Sequence, residues 1–207
     1  MITTILIVLG TVLISMTLHE AMHAFVGYWL GDDTAKLQGR LTLNPIKHID
    51  PFLTVLLPLT LAAIGAPIFG GAKPVPFNPD RVRGGDWGAA LVALGGPLTN
   101  LVLAFVGYGV WVLLGSPLGS LLSIVLMTFV LVNLGFFVFN MLPLPPLDGS
   151  RVIYALAPEF VRTFMRFMES YGLIFIFAIV LLASQPLGLF ISGAIDYILA
   201  GFQFIFS

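Results

Sequence analysis

Five long stretches of this chain carry almost no charge, and most are about as long as a helix that crosses a lipid bilayer. A spanning helix needs roughly 20 apolar residues to cover the hydrocarbon core. The stretches fall at 2–30, 87–113, 119–142, 170–185 and 187–206. The last two are shorter and meet at "SQPLG", where Pro186 and Gly188 predict a turn. A sixth stretch, Pro51 to Phe69, is apolar but interrupted by Pro58, Gly65 and Pro67. Such a segment either crosses or dips in and returns, provided protein or a cavity satisfies its backbone. The fold class that follows is an all-α polytopic membrane protein of about five to six membrane segments. Composition agrees: of 207 residues, 58% are hydrophobic and 9% charged, against about a quarter charged in ordinary soluble domains.

Polar connections lie between the stretches. Residues 31–50 hold Asp32, Asp33, Lys36, Arg40, Lys47, His48 and Asp50. Residues 70–86 read "GGAKPVPFNPDRVRGGD", too rich in Gly and Pro for a helix. Within them, 70–79 predicts a short extended or β loop, and "KPVPF" suits an edge strand, where missing donors are tolerated. No internal repeat, linker or separate soluble domain stands out. The expectation is one domain over 1–207, with a core at 1–155 and a C-terminal helical hairpin at 170–206. The net charge of −1 argues against a nucleic-acid partner. With no cysteine, disulfides, thiolate metal sites and a cysteine nucleophile are excluded. The first apolar run lacks a basic leader and continues to Leu30, so it reads as a retained span.

That first run contains "HEAMH". Ionisable groups at membrane depth are costly and functional by default. On a helix, His19 and His23 share a face and can reach one ion. Glu20 can stand beside such an ion without binding it and take a proton from its water. Two plainer readings compete: a chance spacing, and a buried polar network without metal. Catalytic zinc takes three protein ligands plus water, and the motif leaves the third unnamed. His48, Asp148, Glu159, Glu169 and Asp196 are the candidates near apolar segments. Asp148 stands out, because "FNMLPLPPLDGSR" breaks a long apolar helix and then presents a carboxylate before Gly149, which permits a tight turn. By spacing alone, Asp148 serves equally well as the N-cap of "GSRVIYALA".

"HEAMH", "GGAKPVPFNP", "ALGGPLTNLVLA" and "NMLPLPPLDGSR" occur in that order, with "LTLNPIKHIDP" between the first two. Together they resemble the site-2 protease family of intramembrane zinc metalloproteases, in particular its small bacterial members without a PDZ domain. The resemblance covers about residues 10–155. It implies one Zn²⁺ per chain, with His19, His23 and Asp148 as metal ligands and Glu20 as catalytic base. Asn140 matches the asparagine that precedes the LDG motif, and the resemblance implies a role in holding substrate backbone or an oxyanion. Asn100 matches a position that supports helix packing around the site. The implied substrates are single-span membrane proteins or signal-peptide remnants, within a bacterial plasma membrane. Residues 51–69 are an apolar addition that the family core does not require.

The resemblance makes a geometric demand: Asp148 must reach the depth of the two histidines. If 51–69 crosses fully, the chain carries Asp148 toward the wrong face. If it is re-entrant, residues 31–86 stay on one side and 119–142 brings Asp148 back to it. All nine Lys and Arg then fall on that side, and the connection at 114–118 has none. Basic residues near membrane segments favour the cytoplasm, so the expected site opens toward the cytoplasm. The expected activity is zinc-dependent peptide hydrolysis of membrane-embedded substrates. A membrane metal transporter and a non-catalytic binding protein are the alternatives. A transporter would show a polar path and repeat symmetry, and the intact Glu20 speaks against a silent fold.

Overall fold

The computed structural model describes residues 2–63, 70–115 and 119–207. The far end of the sixth apolar stretch, 64–69, and most of the connection at 114–118 lie outside the described residues. The helices are α1 (Ile2–Trp29), α2 (Thr34–Leu37), α3 (Leu57–Ala63), α4 (Gly85–Leu113), α5 (Leu121–Asn140), α6 (Asp148–Leu156), α7 (Glu159–Ser170), α8 (Gly172–Leu182) and α9 (Ser184–Phe206). Among the described residues there is no strand, so 70–78 forms neither helix nor paired strand. Among the described residues, four helices are long and apolar enough to cross a bilayer: α1, α4, α5 and α9. The all-α polytopic architecture expected from the apolar runs is the one observed.

The centre of the molecule is a three-helix core. Arg83 donates its N–H to the Leu30 carbonyl at 2.8 Å and its guanidinium to the Trp29 carbonyl at 2.6 Å. α4 therefore starts where α1 ends, and the two run antiparallel. Small residues let them approach: Gly27 faces Val92, and Gly95 faces Met22 and Val26. α5 runs back antiparallel to α4, with Gly107 against Phe129 and Val130. A buried cluster of Ala104, Tyr108, Val130, Leu134 and Phe202 fixes the last third of α9 against this pair.

The sixth stretch begins with Asp50, whose carboxylate accepts from the Phe52 and Leu53 N–H groups at 2.9 Å. A π-helical turn, Pro51–Leu56, then leads into α3. The chain returns to its starting point. Gly71 N–H donates to the Leu53 carbonyl at 3.0 Å, and the Thr54 hydroxyl donates to the Gly71 carbonyl at 2.7 Å. Two residues on, Lys73 N–H donates to the His48 carbonyl at 2.9 Å. Both ends of the stretch are thus bonded to each other at one level.

Near the C-terminus the helix break falls at Ala183, ahead of "SQPLG". Pro186 sits in the first turn of α9, where its missing N–H has no helical acceptor to lose. The 11 residues of α8 rise about 16 Å, short of the roughly 30 Å hydrocarbon core. Ile176 of α8 and Leu187 of α9 both pack with Leu142 and Leu147. Segments Glu159–Ser170 and Ile174–Leu182 meet at 86° and make a fifth span only if taken as one broken helix.

Candidate metal centre

His19 and His23 lie one turn apart on the face of α1 that meets α4, with ring centroids 4.7 Å apart at 84°. Each ring is held through Nδ1. His23 Nδ1 lies 2.8 Å from the Val92 carbonyl oxygen. A carbonyl only accepts, so that nitrogen carries the proton. His19 Nδ1 lies 2.6 Å from Asn100 Oδ1. The two Nε2 atoms are left facing each other at 3.0 Å. Gly96 makes the room they occupy. A Cβ at that position would stand 2.6 Å from His19 Nε2 and nearer still to His23 Nε2.

The third group arrives from the other side of the core. Proline at 143, 145 and 146 keeps α5 from continuing, and the helix restarts as α6 at Asp148. Asp148 Oδ2 lies 3.2 Å from His19 Nε2 and 3.5 Å from His23 Nε2. Gly149 is not at positive φ, so the expected turn role is replaced by another. A Cβ there would meet the Leu142 carbonyl oxygen at 2.8 Å and the Met141 carbonyl more closely. The glycine lets α6 pack directly on the end of α5, and that contact delivers Asp148.

Three ligand atoms separated by 3.0, 3.2 and 3.5 Å suit a tetrahedral zinc ion. Zinc bonds of about 2.0–2.2 Å place ligand atoms about 3.3–3.6 Å apart and leave a fourth position open. Two imidazoles and one carboxylate are a donor set that zinc takes. Facing lone pairs at this distance are a repulsion that a cation relieves. Among the described residues, no other three His, Asp or Glu side chains converge in this way.

Glu20 points toward the loop rather than into the triangle, and its Oε2 accepts the Val75 N–H at 3.0 Å. The loop is fixed on both sides of that bond. Arg40 donates to the Lys73 carbonyl at 2.6 Å, and Asn78 N–H donates to Asp32 Oδ2 at 2.6 Å. Pro74 and Pro76 remove the donors between these positions, so Lys73 and Val75 direct theirs at His48 and Glu20. Burial holds the Arg40 guanidinium below its ordinary value, and the charge of Glu20 opposes that shift.

The other candidates lie elsewhere. His48 is fully buried and bonds through Nε2 to the Thr42 carbonyl at 2.8 Å. Glu159 pairs with Arg166, and Glu169 pairs with Arg151. Asp196 is exposed on α9. Asn140 ends α5 with its amide donating to the Phe136 carbonyl at 3.0 Å. Asn100 both bridges helices and holds a metal-facing histidine. Sequence reasoning missed Gly96, Val75 and Asn133. The first two lie in motifs already singled out, while Asn133 lies in the middle of an apolar helix outside any of those motifs.

Comparison with known proteins gives several relatives. The chain is 45% identical to the zinc metalloprotease YwhC of Bacillus subtilis over 188 residues, 87% of this chain and 81% of that protein. It is 36% identical to Rip2 of Mycolicibacterium smegmatis over 148 residues, 70% of this chain and 54% of Rip2. It is 31% identical to Rip2 of Mycobacterium tuberculosis over 173 residues, 82% of this chain and 64% of Rip2. All three are zinc metalloproteases by name, with the activity marked in each name as provisional. No protein-family profile and no solved structure matches the chain.

Proposed function

Because this chain belongs to the zinc metalloprotease family of YwhC and Rip2, with the motifs of site-2 proteases, we propose that it is an intramembrane zinc endopeptidase acting on membrane-embedded peptides. The observation that carries the reading is the triangle of His19 and His23, on a helix of spanning length, with Asp148 at the start of α6, and Glu20 beside it. His19 Nε2, His23 Nε2 and Asp148 Oδ2 hold one zinc ion per chain. Zinc bound there supplies Lewis acidity, which acidifies water and polarises a scissile carbonyl.

The chain's own groups do the rest. Glu20 Oε takes the proton from the attacking water and hands it to the leaving amine nitrogen. Val75 N–H, which donates to Glu20 Oε2, turns to a substrate carbonyl when an unwound peptide lies along 73–77. Such strand addition supplies main-chain hydrogen bonds without reading sequence. A helical peptide has its carbonyls already bonded, so unwinding precedes cleavage. Asn140, at the end of α5, meets substrate backbone as the peptide enters. The substrates are single-span membrane proteins or signal-peptide remnants. The basic loops face the cytoplasm of a bacterial plasma membrane, and the site opens there.

The test is Glu20→Gln. The purified variant is expected to keep about one zinc per chain by metal analysis while peptide cleavage falls at least a hundredfold, on the scale of general-base loss. Membrane peptides accumulate in cells carrying it, and proteomics identifies them. Full activity in the variant, or no difference in membrane peptides, refutes the assignment.

A further inference from the structure

Asn133 lies at the buried centre of the three-helix core and has no place in the reaction outlined above. Its amide donates to the Phe129 carbonyl and to the Ser15 hydroxyl, each at 2.8 Å. A carbonyl cannot donate, so the nitrogen of Asn133 is fixed on that side. Its Oδ1 therefore points the other way, where it accepts from Asn100 Nδ2 at 2.8 Å. With Nδ2 committed to Asn133, Asn100 turns its Oδ1 to His19 Nδ1 at 2.6 Å. His19 must then protonate Nδ1, which leaves Nε2, the atom that faces Asp148, as the nitrogen that can offer a lone pair to zinc.

We infer that Asn133 is a positioning residue that sets the tautomer of His19 through Asn100, and so holds that ligand ready for zinc. The chain of donors has one consistent direction, because it begins at a backbone carbonyl. Without Asn133 the Asn100 amide keeps only the long 3.5 Å bond from its Nδ2 to the Ser15 carbonyl, too weak to stop it flipping and offering Nδ2 to His19. His19 then protonates Nε2 and cannot bind metal. His23 needs no such device, since its Nδ1 meets a backbone carbonyl directly. A plainer role is also on the page: the same bonds tie α1, α4 and α5 together across lipid depth. The two roles separate by design of the variants. A carboxylate at position 100 accepts from His19 whichever way it turns, so it no longer needs Asn133. It does nothing to replace the lost bonds to Ser15 and Phe129.

The inference rests on the zinc site proposed above, and its test reads metal binding and not cleavage. Zinc affinity is measured by competition with a chromogenic chelator for the full chain and for Asn133→Leu, Asn100→Asp and the double variant. Asn133→Leu is expected to weaken zinc binding 10–100-fold, the usual range for groups that orient a ligand. Asn100→Asp in the same chain is expected to restore it to within about threefold. Unchanged affinity in Asn133→Leu, or a loss that Asn100→Asp does not repair, overturns the inference. The unaltered metal-free chain supplies a measurement that survives even if a variant fails to fold. Nitrogen-15 shifts of labelled histidine must show His19 protonated on Nδ1, and an unprotonated Nδ1 overturns it. A chain that meets both expectations and cleaves nothing would refute the protease reading alone.

Discussion

Gly96 occupies a point on α4 where a methyl group would collide with both histidine rings. Gly96→Ala is therefore expected to spread His19 and His23 and to lower stability by about 1–3 kcal/mol, as overpacking does. Zinc content falls with it. Gly135→Ala is the control, since a Cβ there meets nothing within 4 Å. Equal zinc content in the two variants would remove Gly96 from the site. A second residue acts far from the metal. Burial pushes the Asp32 carboxyl up. The Thr34 hydroxyl at 2.5 Å, the Asn78 N–H at 2.6 Å and the Thr34 N–H at 3.0 Å, aided by the charge of Arg81, bring it below its ordinary value. A lowered carboxyl contributes stability that is present above the unfolded value of about 3.9 and is lost as pH falls through the folded one. Asp32→Asn is expected to lower stability at pH 7 by about 1–3 kcal/mol, because the Asn78 N–H loses its acceptor. Thermal unfolding in detergent should show that gap narrowing as the pH falls below 4. A gap of constant size would mean that the charge of Asp32 contributes nothing.

At the scale of elements, the loop at 70–78 differs most from a free connection. Pro74 and Pro76 leave its donors on alternate residues, and the fold spends one of them on Glu20. Val75→Pro deletes that donor where the chain is already held extended by the next proline. Cleavage is expected to fall tenfold or more with zinc retained, while Val75→Ala keeps activity, both read in the same peptide assay; a fully active Val75→Pro would exclude the N–H as a substrate anchor. The elements also show what the sequence could reveal. "HEAMH" was legible because its spacing is local: one helical turn puts both rings on one face. Asp148 stood out among the carboxylates by its Pro-rich context and by the family resemblance, but spacing alone left it equally a helix cap, because its approach depends on α6 folding back on α5 over Gly149. Asn133 was not legible at all. It bonds residues 33 and 118 positions away, and nothing in its own apolar helix marks it. The break before α9 was misplaced by a few residues because proline, read as a breaker, is accepted in a first turn.

At the scale of the whole molecule, the apolar runs fixed the class, and the demand that Asp148 meet the histidines singled out a chain path. The Arg83–Leu30 and Gly71–Leu53 bonds agree with that path: the polar connections from 31 to 86 gather at one end of the core. The chain has no cysteine, so single introduced cysteines report sidedness cleanly. Lys47→Cys and Leu114→Cys are expected to react with an impermeant maleimide from opposite faces of the membrane. Reaction of both from the same face would mean that the segment after Asp50 crosses.

The narrow base of that segment has one more consequence. A loop whose ends are stapled together is mechanically separate from the body that carries it. Doubling its length costs closure only about 0.6 kcal/mol. Descendants of this chain could therefore lengthen, shorten or replace the segment between Leu53 and Gly71, with His19, His23 and Asp148 left in register.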